Sequence, residues 1–185
     1  MAIVMFELKR NIEIYIPRTY CPQVSSRNIE QAALVVLNLA APDLSCQLSI
    51  SLCTDKTMRK VNHEYRGEDK ITDVLSFSSE FPGEWQGISP EKEPDRIDEF
   101  LLPPDQLPTI GEVLICFPEA KRGAKRNGYP VIKEIALLVI HGILHVLGYD
   151  HGNTLDKARM WKIQEHALLE FIKLSYNPRP NIPTI

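Results

Sequence analysis

The sequence predicts an α+β fold, in which one domain contains a mixed sheet of roughly four strands covered by helices. The chain has 185 residues, which is enough for one hydrophobic core and too few for two comfortable domains. Four short segments have strand patterns, and segments with helical periodicity lie between and after them. Because strands and helices alternate early and helices come last, we expect a sheet with helices packed on it.

The first half of the chain alternates between strand and helix patterns. Residues 11–16 alternate between apolar and polar side chains, and Ser26 is placed to cap a following amphipathic helix. Residues 46–52 alternate again and predict a half-buried strand. Thr54 is placed to cap a second helix, and Gly67 to end it.

The second half predicts two more strands and ends in helices. The strands are expected at residues 74–77 and 112–117, separated by a proline-rich, acidic insertion at about 80–109. A single domain is predicted to span residues 1–175, and residues 176–185 to form a tail. A histidine-containing helix precedes the last helix. The last helix has the apolar stripe Met160, Ile163, Ala167, Phe171 and Leu174.

Composition excludes some classes of function. With 21 basic and 24 acidic residues the net charge is −3, so general attraction to nucleic acid or to an anionic membrane is not expected. No segment has the apolar length of a membrane span, and we expect a cytoplasmic protein that does not bind membranes. The cysteines form no C-x-x-C pair, which indicates reduced thiols. They are Cys21, Cys46, Cys53 and Cys116.

Three histidines within eleven residues predict a metal site. His141 and His145 are four apart, so on a helix both imidazoles point from one face. Gly148 is placed to end that helix in a left-handed conformation, which turns the chain and brings His151 back. Three nitrogen ligands and an open fourth position are typical of catalytic zinc. We therefore expect one Zn²⁺ per chain, with a zinc-bound water as part of the catalytic machinery.

The same spacing occurs in metzincin proteases, whose motif is H-E-x-x-H-x-x-G-x-x-H. Those enzymes use the glutamate after the first histidine as general base, and this chain has Gly142 at that position. Peptide hydrolysis therefore loses its usual proton acceptor. The zinc chemistry that remains suits a hydrolase of another substrate.

Two sequence blocks then identify a family resemblance. The segment HGILHVLGYDH at residues 141–151 and the block at residues 62–77, NHEYRGEDKITDVLSF, resemble signatures of the YbeY family of rRNA maturation factors. Residues 111–115, GEVLI, are similar to a third family segment, so the resemblance covers roughly residues 46–170. It implies a metal-dependent endoribonuclease for single-stranded RNA, involved in 3′-end maturation of small-subunit rRNA and in ribosome quality control. The implied partners are the small ribosomal subunit or its precursor and assembly factors.

The resemblance also assigns residues. His141, His145 and His151 match the zinc ligands, and Arg66 matches an arginine needed for activity. A guanidinium is always charged and its planar donors suit phosphate oxygens, so Arg66 could stabilise charge developing on a scissile phosphate. This chain departs from the family pattern at three residues and in the long insertion. It has Ile71 and Ser78 where the family commonly has proline, and Glu112 where aspartate is usual. They affect loop geometry and partner choice more than chemistry.

Other candidates have two interpretations each. Asp150 could orient a ligand imidazole or cap the turn, and Asp73 could support the site or belong to a turn before a strand. Four basic residues at helical spacing form either a track for RNA or an ordinary solvated face. They are Lys121, Arg122, Lys125 and Arg126. Two alternative functions remain open, namely a non-catalytic ribosome-assembly factor with a structural metal and a metallohydrolase of another substrate.

Overall fold

The computed structural model describes residues 8–79, 107–150 and 154–176. The order of strands and helices along the chain is the one that the sequence predicts. The predicted α+β fold class is confirmed. The elements are β1 (Arg10–Tyr15), α1 (Ser26–Ala40), β2 (Cys46–Cys53), α2 (Asp55–Arg66), β3 (Val74–Ser78), β4 (Thr109–Cys116), α3 (Phe117–Asn127), α4 (Val131–Val146) and α5 (Thr154–Tyr176).

The sheet is mixed, as predicted, with the strand order β1-β2-β4-β3. Strands β1, β2 and β4 are parallel, and β3 pairs antiparallel with β4 at one side of the sheet. Cys53 pairs with Cys116 where β2 and β4 end. Gly111, near the start of β4, pairs with Ser78, the last residue of β3. We call the end of the sheet at Gly111 and Ser78 the amino edge.

The main core lies between one face of the sheet and helices α1, α4 and α5. Alternation in β2 directs Leu48 and Ile50 into this core, where both are fully buried. Helix α4 is apolar on almost every side because it is enclosed by α1, α3, α5 and the sheet. The helix that carries the histidines is therefore buried on most sides by other described elements.

Arg10 connects the first strand to the end of the first helix. Its guanidinium donates hydrogen bonds to the carbonyl oxygens of Ala41 at 2.8 Å, Pro42 at 3.0 Å and Leu44 at 3.1 Å. Carbonyl groups at the carboxyl end of a helix have no partner within the helix. The arginine supplies donors there, so β1, α1 and β2 are held together as one unit.

Helix α2 packs on the other face of the sheet, over a smaller cluster that contains Met58 and Leu75. Cys53 and Cys116 also lie in this cluster, and the Cys116 thiol donates to Asp55 Oδ1 at 3.2 Å. The hydrogen bond between the two thiols, together with burial, raises the pKa of Cys116 far above its usual range. Sequence spacing did not reveal this proximity. All four cysteines are free thiols, as expected.

Helix ends follow the predicted signals in most places. The Thr54 side chain accepts a hydrogen bond from the Thr57 amide at 3.2 Å, and Gly67 ends α2 with φ 69°. The N-cap of α1 is Ser25 and not Ser26, and it makes no side-chain cap bond. Strand β4 begins at Thr109, before the predicted residue 112, and ends one residue earlier because Phe117 and Pro118 begin α3. Most of the predicted insertion and tail lies outside the described residues.

Helices α3 and α4 meet at a sharp corner. Gly128 ends α3 with φ 70°, and Pro130 is the N-cap of α4. The two helices are bent by 116° relative to each other. In the described part of the chain no single helix combines the length and apolarity needed to cross a membrane, and only this bent pair meets those criteria jointly.

Candidate metal centre

His141 and His145 stand on the last two turns of α4, and both side chains are half-buried. Their Nε2 atoms are 3.1 Å apart, and their rings are 4.6 Å apart at an angle of 80°. Two nitrogen ligands of a tetrahedral zinc ion, each about 2.05 Å from the metal, are separated by about 3.3 Å. The two imidazoles therefore fit a shared metal ion without rearrangement of the helix.

Gln164 fixes the orientation of one of these imidazoles. Its Oε1 lies 2.9 Å from Nδ1 of His141, so Nδ1 donates the hydrogen bond and Nε2 keeps its lone pair. Such a partner holds a ligand histidine in the tautomer that binds metal. Sequence reasoning missed Gln164, although a signal was present. It lies four residues after buried Met160 and three before buried Ala167, so it interrupts the inward face of α5.

The turn after α4 has the predicted geometry. Gly148 has φ 82°, its amide donates to His145 O at 3.0 Å, and the Tyr149 amide donates to Leu144 O at 2.9 Å. These two bonds form the glycine-dependent helix end that the sequence predicted. His151, the predicted third ligand, lies outside the described residues. Asp150 is exposed, and its role stays a prediction.

Two of the three predicted ligands thus belong to the part of the chain that the structure describes. Within that part, no group of three or more His, Cys, Asp or Glu side chains could hold a metal ion. The donor set still suits zinc, because both described donors are imidazole nitrogens in a half-buried position.

Gly142 stands where a metzincin has its glutamate, and packing explains why. A Cβ atom there would lie 2.6 Å from Val113 Cγ1 and 3.1 Å from Ser76 Oγ. The helix surface at this position is pressed against β3 and β4. A glutamate could therefore not replace this glycine without a shift of the buried Val113 side chain or of α4.

Arg66 reaches the same edge of the sheet as the histidines. The Tyr65 ring meets the Phe77 ring at 4.9 Å, and the Ser78 hydroxyl donates to Val146 O at 2.9 Å. Neighbouring residues of a strand point to opposite faces, so α2 and α4 lie on the two faces of β3. The carboxyl ends of both helices therefore lie toward the amino edge, one on each face of the sheet. Arg66 is the last residue of α2 and is exposed at this end of the helix.

The backbone after Arg66 is held by the helix that precedes it. Asn62 is fully buried, and its Nδ2 donates to Lys70 O at 2.9 Å. Arg59 makes a two-pronged pair with Asp69, with both contacts at 2.6 Å. The sequence did not lead us to predict this structural role of Asn62. It lies four residues after buried Met58, on the inward side of α2.

Asp73 is placed away from the histidines. Its carboxylate accepts hydrogen bonds from the Val74 amide at 2.9 Å and from the Thr72 hydroxyl at 3.3 Å. Its carbonyl accepts from the Cys116 amide at 2.8 Å, so Asp73 lies at the end of β4 opposite the amino edge. The local contacts are those of a turn residue.

The two arginines of α3 are paired with carboxylates. Arg122 pairs with Asp55 at 2.7 Å and with Glu119 at 2.6 Å, and Arg126 pairs with Glu119 at 2.9 Å. The hydrogen bonds from Arg122 lower the pKa of Asp55. Lys121 donates to a glutamine side chain at 2.8 Å. The predicted RNA track on α3 thus has two neutralised arginines, and its contact with RNA stays a prediction.

The fold and the histidine pair define a class of protein: an α+β domain with two imidazoles converging at the end of a buried helix. Comparison with known proteins then identifies the family. A family model described as "Endoribonuclease YbeY" matches residues 18–172, and the chain belongs to that family.

Relatives and a solved structure agree with this assignment. A protein named Endoribonuclease YbeY from Dehalococcoides mccartyi strain CBDB1 is 34% identical over 160 residues, covering 85% of this chain and 90% of the relative. Its namesake from Geobacillus kaustophilus strain HTA426 is 32% identical over 153 residues, with coverages of 80% and 90%. The solution structure of TM1509 from Thermotoga maritima has a TM-score of 0.54, with 20% identity, and covers 94% and 99% of the two chains. It supports the fold.

Proposed function

We propose that this protein is a zinc-dependent endoribonuclease that cleaves single-stranded RNA. The observation that carries the proposal is the pair of Nε2 atoms 3.1 Å apart on α4, at the same edge of the sheet as Arg66. Membership of the endoribonuclease YbeY family supports RNA as the substrate.

The residues present divide the work between them. His141 and His145, with His151 as the predicted third ligand, would hold the zinc ion in a zincin-like arrangement on α4. A bound zinc ion supplies Lewis acidity and lowers the pKa of water. Arg66 would bind non-bridging phosphate oxygens through its planar fork of donors and stabilise charge that develops at phosphorus. Gln164 keeps His141 in the metal-binding tautomer through the bond at Nδ1.

We further propose that the cellular substrate is the 3′ region of small-subunit rRNA, and that the protein acts in the cytoplasm in rRNA maturation and ribosome quality control. The small ribosomal subunit and its assembly factors would then be partners. The support for this part is the family resemblance of residues 62–77 and 141–151.

The test compares four purified proteins: wild type, His145→Ala, Arg66→Ala and His166→Ala. The last variant is the matched control, because His166 is an exposed histidine on α5. We expect one zinc per chain in all except His145→Ala, and cleavage of single-stranded RNA only by wild type and His166→Ala. Zinc content and RNA cleavage that survive in His145→Ala would refute the site.

The same experiment separates the alternatives. In a non-catalytic assembly factor with a structural metal, zinc would be retained while wild type and Arg66→Ala would cleave RNA equally slowly. Asp150→Ala tests whether that aspartate closes the site as a fourth ligand, since a loss of zinc as complete as in His145→Ala would indicate ligation, whereas a fall in affinity of about 10- to 100-fold would indicate a bond to a ligand imidazole. Parallel assays with single-stranded DNA and a peptide test the third candidate, a metallohydrolase of another substrate.

A further inference from the structure

The outer surface of α2 carries five basic side chains at helical spacing, and we call them the α2 basic stripe. At about 100° per residue they cover an arc of about 120°, on the side of the helix away from buried Met58 and Asn62. All five are exposed. They are Lys56, Arg59, Lys60, His63 and Arg66.

Most of the positive charge of the stripe, which its lysines and arginines carry, is available to a ligand. Among the described residues, Lys56, His63 and Arg66 form no ion pair, and Lys60 has only a long contact of 3.6 Å with exposed Glu64. Arg59 alone is held in a tight pair. On α3, by contrast, both arginines are bound by carboxylates. In a chain with a net charge of −3, α2 is thus a better surface for a polyanion than the basic residues of α3.

The stripe also borders a groove. A cavity of about 380 Å³ lies between α2 and the loop that follows it. Four stripe residues line it together with Asp55, Asp69 and the apolar side chain of Ile71, which is 39% exposed. The two carboxylates are paired with arginines, Asp55 with Arg122 and Asp69 with Arg59. A concave surface that combines cations with an apolar side chain suits a flexible strand that has both phosphates and bases.

We propose that the α2 basic stripe is the track along which the phosphate backbone of single-stranded RNA lies on its way to the candidate metal centre. This inference rests on the proposed function. From Lys56 to Arg66 the stripe is about 15 Å long, at about 1.5 Å per residue. It ends at Arg66 on the amino edge, so one row of charges would bind the flanking phosphates and present the scissile one.

The test uses two double variants that remove equal charge from the two helices. Lys56→Ala/Lys60→Ala changes the stripe, and Lys121→Ala/Lys125→Ala is the matched control on α3. Binding of zinc-loaded protein to a labelled single-stranded 20-mer RNA is measured by anisotropy at 4 °C over a series of salt concentrations, with gels to verify intact RNA. Alanine favours helix at least as well as lysine, and thermal unfolding checks that both variants are folded.

Each lost phosphate contact reduces the slope of log K against log salt by about 0.7 for a single strand. We expect the stripe variant to lose about 1.4 from the slope, each single lysine variant about 0.7, and the α3 variant to keep the wild-type slope. The stripe variant should also cut the 20-mer more slowly while cutting a dinucleotide at the wild-type rate, because a dinucleotide has one phosphate, which cannot occupy the metal centre and the stripe together.

The track would be overturned if wild type and the stripe variant had equal salt slopes, or if the slope changed more in the α3 variant. RNA cleavage by wild type would still support the proposed function in that case. A wild-type protein that neither binds nor cuts RNA would instead overturn the proposed function, and the track with it.

Discussion

Gln164 illustrates how a side chain outside the histidine motif can decide what that motif does. An imidazole binds metal only through a nitrogen without a proton, and the acceptor on the other nitrogen selects which one that is. His141 Nδ1 donates a hydrogen bond of 2.9 Å to Gln164, so its Nε2, which faces His145, is the nitrogen without a proton. The α5 helix thereby contributes to a site whose described imidazoles are both on α4.

Replacing Gln164 should weaken zinc binding without removing a ligand. In Gln164→Leu, Nδ1 of His141 has no acceptor at this position, and we expect zinc affinity to fall by about 10- to 100-fold. Gln164→Glu keeps an acceptor and should bind zinc at least as tightly as wild type. Competition with a chromophoric chelator measures both. If the leucine variant binds zinc like the glutamate variant, Gln164 does not position the ligand.

Gly142→Ala should destabilise the fold. The new Cβ would meet Val113 at 2.6 Å, and relief of such overpacking costs about 1–3 kcal/mol. Urea unfolding followed by circular dichroism would show a lower midpoint. Gly128→Ala is an informative comparison, because nothing lies within 4 Å of its added Cβ and only its positive φ of 70° opposes the change. A wild-type midpoint for Gly142→Ala would contradict the tight contact of α4 with the sheet.

At the scale of elements, an ion-pair network joins α2 to α3. Asp55 stands in the first turn of α2, and Arg122 and Glu119 belong to α3. The Asp55 carboxylate also accepts from the Cys116 thiol at 3.2 Å. The network therefore connects the start of α2 with the point where β4 becomes α3, and it fixes the end of α2 that is remote from Arg66.

This network should make stability depend on pH at acidic values. The bonds from Arg122 lower the pKa of Asp55 in the folded state, so its contribution is present above the unfolded pKa and is lost as pH falls through the folded one. The Asp55 and Arg122 side chains are 38% and 44% exposed, so Arg122→Ala should cost only about 0.5–1 kcal/mol at pH 7. The cost should shrink progressively below about pH 4.

Urea midpoints at pH 7 and pH 3 measure this difference. Lys125→Ala is the matched control, since it removes a positive charge from the same helix and Lys125 forms no ion pair among the described residues. A deficit of Arg122→Ala that is equal at both pH values would show that packing, and not the carboxylate pairs, accounts for it.

Elements governed by local chemistry could be predicted from the sequence. The Thr54 cap, the Gly67 helix end and the left-handed Gly148 each depend on neighbouring residues, and each is confirmed. The pair of Arg122 with Asp55 could not be foreseen, because Asp55 belongs to another helix, whereas the pairs of Arg122 and Arg126 with Glu119 lie within α3. For the same reason the Cys53 and Cys116 contact appears only once β2 and β4 pair in register.

On the scale of the whole molecule, a metal bound by α4 would also stabilise the contact of α4 with α5. A ligand that binds only the folded state stabilises it by about 2.7 kcal/mol at a concentration one hundred times its Kd. For a domain of this size that corresponds to a rise in Tm of about 5–10 °C. Differential scanning calorimetry with and without Zn²⁺ should show this rise in wild type and none in His145→Ala. An equal rise in both would place the metal elsewhere.

The order of the strands also determines when the candidate centre can form as the chain folds. Strands β1 and β2 pair residues that are 36 positions apart along the chain, as Arg10 and Cys46 are. The central pair of β2 and β4 must instead bring residues 47 and 109 together, and distant contacts form slowly. Helix α4 packs on the completed sheet. In kinetic terms we therefore expect the histidine pair to be among the last parts of the protein to become ordered.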